Sequence, residues 1–267
     1  MKLVDVHAHV NSVLYNDDFD EMLERARKVG VQAILLSGVN PEANREVLTL
    51  CKKHPILRAS LGIYPIDALG LPCDGTGLPR HQGPIDLDAE FQFIRDNLDC
   101  VAAVGEVGMD FYLSKEESEH KQQEVNFRKI IRFVKSIHKP IIIHSRQAEK
   151  ECVRVLGEEI TNHEIPVVNH CFSGGKKVIA EAAKLGHYFS IPANIVKSEQ
   201  FQMLVSMVDI KQLLTETDSP WLTPYPGQRN EPAFVVESIR MIAKVKGISE
   251  QEAADAVWEN YERVFGK

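Results

Sequence analysis

Cysteine is scarce in this sequence, and no two cysteines have the spacing of a disulfide or metal-binding pair. Five cysteines are scattered over 267 residues without a C-x-x-C motif, which excludes a disulfide scaffold or a zinc finger and fits reduced thiols. The chain also lacks an apolar run approaching about 18 residues and a basic segment followed by an apolar one at its start. We therefore expect no membrane contact, no export signal and a cytoplasmic protein.

Basic residues are also fewer than acidic ones, 31 against 38. The formal net charge is −7 at pH 7, which argues against the broad basic surface of a protein that coats duplex DNA. Hydrophobic residues make up 44% of the chain, as in an ordinary soluble domain with a sizeable core. We infer no obligate protein partner, and we expect any contact with nucleic acid to be local or mediated by metal ions.

Short apolar, β-branched runs alternate with amphipathic, charged stretches along the whole chain. The predicted strands are 2–9, 32–38, 56–64, 101–108, 140–145, 166–171, 188–192 and 213–218. Predicted helices include 19–29, 41–52, 116–136, 176–185, 233–246 and 249–265. Eight such repeats in about 250 residues predict an α/β fold, a single-domain (β/α)8 TIM barrel. A doubly wound sheet is disfavoured because no Gly-rich phosphate loop follows the first strand.

The segment 65–85 interrupts this alternation after the third strand. It contains four glycines and four prolines and has no apolar periodicity. A connector of this length is uncommon unless it serves a function. We interpret it as an active-site lid or a mobile insertion.

Histidines and acidic residues recur at the ends of the predicted strands. His7 and His9 are two residues apart on the first strand, so both side chains leave the same face and can bind one ion. Taken alone, this pair fits a structural role better than a functional one. The further candidates, at the ends of the fourth, fifth, sixth and eighth strands, are Glu106, His144, His170 and Asp218. Because the carboxyl ends of barrel strands meet at the catalytic face, the six side chains predict a binuclear metal site.

The residue types in this set suit two divalent ions. Neutral imidazoles give affinity, and a carboxylate can bridge two ions and reduce their repulsion. We assign the bridge to Glu106. Two ions would acidify a shared water from a pKa of about 15.7 toward about 7 and so provide hydroxide, with Asp218 as both metal ligand and general base. Imidazole-rich ligation favours zinc, manganese or iron.

Five segments in this order resemble the TatD family of metal-dependent deoxyribonucleases, within the amidohydrolase superfamily. They are the residues 5–9 (DVHAH), 105–112 (GEVGMDFY), 140–146 (PIIIHSR), 170–174 (HCFSG) and 216–222 (ETDSPWL). The resemblance spans nearly the whole chain and implies one hydrolase domain over residues 1–267.

The resemblance also assigns roles to the candidate ligands. It implies that His7, His9, Glu106 and Asp218 hold one metal ion, while Glu106, His144 and His170 hold the second. It further implies hydrolysis of DNA phosphodiester bonds, which we expect in single-stranded or end-exposed DNA. Turnover would depend on Mg²⁺ or Mn²⁺, and zinc is an alternative as the bound metal.

One position departs from the family pattern. Members commonly carry histidine in a G-x-H-P turn after the third strand, whereas this chain has Gly62-Ile63-Tyr64-Pro65. Tyr64 can donate a hydrogen bond but is a poor proton carrier near neutral pH. We expect it to contact the substrate. His81 in the following loop is a possible substitute for the histidine, although a surface role fits its position better.

Arginines and aromatic residues near these motifs are candidates for substrate contact. Arg146 and Arg229 lie in loops at the catalytic face and are placed to clamp a phosphate, or else to form structural salt bridges. Phe111, Tyr112 and Trp221 either stack on unpaired bases or pack the rim of the barrel. The sequence leaves both alternatives open for the aromatic residues.

Two other functions fit the same fold. An amidohydrolase acting on a cyclic amide, lactone or other small ester would use the same nucleophile. Many such enzymes carry a carboxylated lysine on the fourth strand, and residues 101–109 contain no lysine. A catalytically silent binding barrel would be expected to lack one or more ligands, and all six are present here.

Overall fold

The computed structural model describes residues 1–72 and 77–266. The predicted segment 65–85 therefore includes four residues, Cys73 among them, that lie outside the described part. Within the described residues, no helix combines the length and the apolar character needed to cross a membrane.

Eight strands form one parallel sheet. They are β1 (Leu3–Ala8), β2 (Val31–Ser37), β3 (Leu57–Ile63), β4 (Val101–Gly108), β5 (Ile141–His144), β6 (Val167–His170), β7 (Tyr188–Pro192) and β8 (Leu213–Glu216). Each strand pairs with the next one in the chain. This confirms the predicted single-domain (β/α)8 barrel.

The first and last strands meet through side chains as well as backbone. Thr215 Oγ1 donates to the carbonyl oxygen of Val4 at 2.6 Å, and the backbone N–H of Thr217 donates to Asp5 Oδ1 at 3.0 Å. Beyond the end of β8, the N–H of Asp218 donates to the carbonyl oxygen of His7 at 2.9 Å. These hydrogen bonds bring the two ends of the sheet together and place Asp218 beside the histidines of β1.

In the described ranges, ten α-helices accompany the strands. They are α1 (Phe19–Val29), α2 (Pro41–Lys53), α3 (Pro65–Ala68), α4 (Leu87–Asp96), α5 (Glu117–Ile137), α6 (Glu149–Glu159), α7 (Lys176–Lys184), α8 (Glu199–Met207), α9 (Val235–Lys246) and α10 (Glu250–Phe265). Local sequence signals determine where some helices begin. For example, α2 begins at Pro41 after the capping side chain of Asn40. Ser249 and Glu252 form the predicted capping box of α10, satisfying backbone donors that have no partner inside the helix.

The strands are buried on both faces. Ile141, Ile142 and Ile143 are all fully inaccessible, because alternate side chains face the barrel interior and the surrounding helices. Burying each such side chain contributes roughly 1.5–3 kcal/mol. Gly62 on β3 lies so close to β2 and β4 that a Cβ would sit 2.0 Å from the carbonyl oxygen of Gly38 and 2.4 Å from the nitrogen of Glu106. A side chain at position 62 would therefore displace Glu106.

The described parts of the segment 65–85 are anchored to neighbouring loops. Asn40 donates from Nδ2 to Asp67 Oδ2 at 2.7 Å and to the carbonyl oxygen of Pro79 at 2.9 Å. The carbonyl oxygen of Gly77 accepts from the N–H of Val13 at 2.9 Å. The segment thus lies against the loops that follow β1 and β2, and its role as a lid stays a prediction.

Candidate metal centre

The six predicted metal ligands meet in one cluster at the carboxyl ends of the strands. His144 and His170 are the last residues of β5 and β6, and Glu106 lies on β4. His9 and Asp218 lie just beyond the ends of β1 and β8, which are shorter than predicted. Asp218 has a left-handed backbone with a φ of 53°, a conformation that is uncommon for a residue other than glycine and marks an irregular strand end.

The first half of the cluster consists of His7, His9 and Asp218 with one oxygen of Glu106. The two Nε2 atoms of the histidines are 3.1 Å apart. Glu106 Oε2 lies 3.6 Å from His7 Nε2 and 3.4 Å from His9 Nε2, and Asp218 Oδ1 lies 3.5 and 3.6 Å from the same two nitrogens. The first half thus offers two nitrogens and two carboxylate oxygens around one point.

The second half consists of His144 and His170 with the other oxygen of Glu106. Glu106 Oε1 lies 2.6 Å from His144 Nδ1 and 3.2 Å from His170 Nε2. The two nitrogens are 3.3 Å apart. The halves are adjacent, since the rings of His7 and His170 stack with centroids 4.0 Å apart.

This donor set fits two divalent cations. Nitrogen and oxygen ligands at about 2.0–2.1 Å in a tetrahedral shell lie roughly 3.3–3.4 Å from one another, close to the 3.1–3.6 Å separations of the first half. Glu106 turns one oxygen to each half, as a bridging ligand does. The cluster also gathers buried carboxylates whose charge in a low-dielectric site calls for compensating cations or protons.

Neutral groups contact the histidines of the first half from behind. Ser37 at the end of β2 places its Oγ 3.2 Å from His7 Nδ1 and its carbonyl oxygen 3.0 Å from His9 Nδ1. The carbonyl can only accept, so His9 carries its proton on Nδ1 and presents Nε2 as the free donor atom for a metal.

Carboxylates lie behind the histidines of the second half. Asp110, in the loop after β4, accepts from His144 Nε2 at 2.9 Å. Glu216 at the end of β8 has Oε2 3.7 Å from His170 Nδ1, a buried nitrogen without a hydrogen-bond partner among the described residues. Glu216 itself accepts from the N–H of Cys171 at 2.8 Å and from Ser190 Oγ at 2.5 Å.

The protonation of the first half follows from its burial. Burial, together with the nearby His170, lowers the pKa of His7 well below its ordinary value, so this imidazole is neutral and available as a ligand. Burial raises the pKa of Asp218 to about 7, although His170 and His9 act in the opposite direction. A carboxylate with this pKa can take up and release a proton near neutral pH.

In the second half, the pKa values of the histidines are raised rather than lowered. Burial acts to lower the pKa of His170 and of His144, but the Glu106 carboxylate outweighs it and raises both. The same contacts hold the pKa of Glu106 well below its ordinary value, despite a burial effect that acts to raise it. These two histidines therefore stay protonated to a higher pH than a free imidazole, and an ion bound there would have to displace those protons.

Tyr64 contacts this half of the cluster directly. Its hydroxyl donates to Asp110 Oδ2 at 2.9 Å, and its ring packs edge-on against His144 with centroids 4.9 Å apart. His81, the possible substitute for the family histidine, instead places Nδ1 2.9 Å from Glu42 Oε2. The structure therefore places Tyr64, not His81, beside the cluster.

The two predicted substrate arginines differ in their surroundings. The exposed guanidinium of Arg146 lies over the ring of Tyr112, 3.6 Å from its centroid, and within the described chain it forms no ion pair with an acid. Arg229 donates to both oxygens of Asp18, at 2.7 and 2.8 Å, and covers the ring of Tyr15. Arg146 is available to an anion, whereas the donors of Arg229 are engaged.

The three candidate aromatic residues also differ in their packing and exposure. Phe111 stacks on His120 with centroids 3.8 Å apart, and Trp221 packs edge-on against His9 at 5.2 Å. Tyr112 is 42% exposed, with Arg146 over its ring and Lys115 Nζ 4.9 Å from its centroid. Packing explains Phe111 and Trp221, while Tyr112 faces solvent between two cations.

Four residues behind the ligands have roles that the sequence did not reveal. They are Asp5, Ser37, Asp110 and Glu216. Asp5, Asp110 and Glu216 fall inside the motifs DVHAH, GEVGMDFY and ETDSPWL, so an acidic residue next to a ligand was the available signal. The sequence contains no such signal for Ser37, because its contacts depend on how β2 lies beside β1.

Comparison with known proteins agrees with this geometry. The family described as TatD related DNase matches residues 4–266. The chain is 33% identical over 99% of its length to "Putative deoxyribonuclease TATDN3" of Mus musculus, covering 88% of that protein. It is 32% identical over 99% of its length to "Uncharacterized metal-dependent hydrolase MJ1582" of Methanocaldococcus jannaschii, covering 97% of that protein.

A solved structure shows the same architecture. The TatD homologue YJJV from Escherichia coli superposes with a TM-score of 0.85 over 99% of this chain and 98% of its own, at 22% sequence identity. With the family match over nearly the full length and relatives above 30% identity, this chain belongs to the family of TatD-related DNases.

Proposed function

We propose that this protein hydrolyses phosphodiester bonds in single-stranded or end-exposed DNA with two divalent metal ions. The observation that carries the proposal is the Glu106 carboxylate, which turns Oε2 to His7 and His9 and Oε1 to His144 and His170. The names of relatives, among them "Deoxyribonuclease TATDN3" of Homo sapiens at 32% identity, support DNA as the substrate.

The proposed ligands divide between the halves as the family resemblance implies. His7, His9, Asp218 and Glu106 would hold one ion, and His144, His170 and Glu106 the other. When bound, the two ions polarise a phosphoryl oxygen and lower the pKa of the attacking water. Mg²⁺ or Mn²⁺ is proposed for turnover, and the nitrogen-rich donors also suit Zn²⁺.

The side chains of the chain itself supply the remaining steps. Asp218, whose pKa is raised to about 7 by burial, accepts the proton of the attacking water. Arg146, exposed and without an acidic partner among the described residues, binds a phosphate oxygen close to His144. Arg229 and Tyr64 remain proposed substrate contacts, each with its donors already engaged by an aspartate.

The charge of the protein restricts how DNA is bound. A net charge of −7 disfavours a long electrostatic track, so only the phosphates near the metal ions and Arg146 are neutralised. Two or three contacted phosphates on a single strand give a slope of log affinity against log salt of about −1.4 to −2. Scattered reduced thiols favour action in the cytoplasm.

A direct test uses an end-labelled single-stranded oligonucleotide and the protein freed of metal and reloaded with Mn²⁺ or Mg²⁺. We expect cleavage by the loaded protein, none after chelation, and none by a Glu106→Gln variant. A small lactone or cyclic amide serves as the parallel substrate. Good turnover of that compound with no cleavage of DNA would replace the nuclease with an amidohydrolase.

A further inference from the structure

Asp110 is a buried carboxylate that contacts the metal cluster without facing the metal position. Its Oδ2 accepts from His144 Nε2 and from the Tyr64 hydroxyl, both at 2.9 Å. Its Oδ1 accepts from the N–H groups of Tyr112 and Leu113, at 2.8 and 2.7 Å. Four donors thus fix the position of this carboxylate.

The backbone of Asp110 is held as firmly as its side chain. Its N–H donates to Oε1 of Gln123 on α5 at 2.7 Å, and its carbonyl oxygen accepts from Gln123 Nε2 at 3.1 Å. Asp110 therefore joins a helix, the loop after β4 and a predicted metal ligand in one network. Because Asp110 is anchored to α5 in this way, its hydrogen bond restricts the movement of the His144 imidazole.

The contact also selects the tautomer of His144. This imidazole points Nδ1 toward Glu106 and His170, so only Nδ1 can bind a metal ion at this position. A carboxylate at Nε2 keeps a proton there and leaves Nδ1 with its lone pair once an ion is bound. With the opposite tautomer, Nδ1 would carry the proton and could not act as a ligand.

Tyr64 completes the arrangement. Its hydroxyl donates to the same Oδ2 that accepts from His144, and its ring limits rotation of the imidazole from one side. The first half has no equivalent, since Ser37 contacts His7 and His9 with uncharged groups. A change at Asp110 or Tyr64 should therefore act on one half only.

We propose that Asp110 is a positioning residue that holds His144 as the Nδ1 ligand of the second half, and that Tyr64 is a positioning residue that holds Asp110. The inference rests on the two-metal function proposed above. It gives Tyr64 a role in metal binding that is separate from any contact with substrate.

The test measures metal binding rather than turnover. Metal-free protein is titrated with Co²⁺, followed by its visible absorption and by the number of ions bound. A His144→Asn variant identifies the binding phase of the second half. The test variants are Tyr64→Phe, which removes only the hydroxyl, and Asp110→Asn, which removes the charge. Ser37→Ala is the matched variant for the first half, because it removes only the hydroxyl near His7.

We expect Asp110→Asn to weaken the second-half phase by about 10- to 100-fold, the range typical of residues behind metal ligands, and Tyr64→Phe to weaken it by less. The first-half phase should stay unchanged in both variants, and Ser37→Ala should affect only that phase. Thermal unfolding of the metal-free proteins separates this effect from a general loss of stability. Tyr64→Phe leaves the hydrogen bonds to Tyr112 and Leu113 intact and tests the Tyr64 hydroxyl alone. If Asp110→Asn does not fold, Asp110→Glu, which keeps the charge but shifts the carboxylate relative to His144, tests Asp110 in its place.

Three results would overturn all or part of the inference. An unchanged second-half phase in folded Tyr64→Phe would remove Tyr64 from the arrangement, and the same result in folded Asp110→Asn would remove Asp110. Equal weakening of both phases would show a general structural role instead. Binding of one ion by the wild-type protein would contradict the two-metal function itself, an outcome distinct from all three of these.

Discussion

The two halves of the candidate metal centre share one carboxylate but balance their charge in different ways. The first half has its own acidic candidate ligand, Asp218, and uncharged groups of Ser37 behind its histidines. In the second half, the shared Glu106 is the one acidic candidate ligand among the described residues, and carboxylates lie behind the histidines, Asp110 in contact and Glu216 at 3.7 Å. A metal site can therefore obtain negative charge from its ligands or from the residues behind them.

The difference extends to the protons that the histidines hold. Burial lowers the pKa of His7, whereas Glu106 raises that of His144 and His170 against the effect of burial. The first half is thus prepared for a cation near neutral pH, apart from the proton on Asp218. The histidines of the second half must release protons before they can bind a cation.

Replacing Glu106 with Gln should have the largest effect, because it removes the one anion that both halves share. We expect turnover to fall to background and metal binding to fall in both halves by more than the roughly 100-fold typical of residues behind ligands. Calorimetric titration with Mn²⁺ and an oligonucleotide cleavage assay measure the two effects. Two ions bound with unchanged affinity would remove Glu106 from the bridging role.

Replacing Asp218 with Asn should affect the first half and the chemical step. We expect kcat to fall by about 10²- to 10⁴-fold, as for loss of a general base, with a much smaller change in KM, because the lost contact acts in the transition state. Steady-state kinetics at saturating metal measure the changes in kcat and KM separately. A change in KM alone would make Asp218 a substrate contact.

Lowering the pH should weaken metal binding more steeply in the second half than in the first. Metal binding displaces protons, so affinity falls as pH falls below the pKa of a protonated ligand. The first half releases one proton, from Asp218 with its pKa of about 7, and should lose about one logarithmic unit of affinity per pH unit below that value. The second half releases up to two protons from histidines whose pKa is raised, so its affinity should fall more steeply as the pH is lowered. Co²⁺ titrations between about pH 6 and 8 compare the slopes, and parallel slopes would contradict the difference between the halves.

The two candidate substrate arginines should show the smallest effects, of two different kinds. Arg146→Gln, two residues after the candidate ligand His144, should flatten the salt dependence of oligonucleotide binding by about 0.7, the contribution of one phosphate on a single strand. Arg229→Gln should lower Tm, since a partly exposed ion pair with Asp18 contributes up to about 1 kcal/mol, or roughly 2–4 °C. The binding assay uses the Asp218→Asn variant at saturating metal, so that the oligonucleotide is cleaved only slowly. The reverse pattern would assign the phosphate contact to Arg229.

The sequence by itself determined the barrel and the identity of the six candidate ligands. Repeated strand and helix periodicity predicts the fold, and the parallel direction of the strands brings residues at their carboxyl ends together. His144 and His170 end their strands as predicted, and His9 and Asp218 reach the cluster from just beyond theirs. These are properties of position along the chain, which the sequence contains directly.

Only the tertiary structure decided which oxygen of Glu106 faces which half, and what lies behind each histidine. It pairs Asp110 with Tyr64, 46 residues earlier, and Arg229 with Asp18, 211 residues earlier. Such contacts depend on the geometry of several loops and on the rotamer that packing allows, so no local periodicity encodes them. The sequence thus specified the candidate ligands, and the packing of the loops around them sets the tautomer, charge and availability of each side chain.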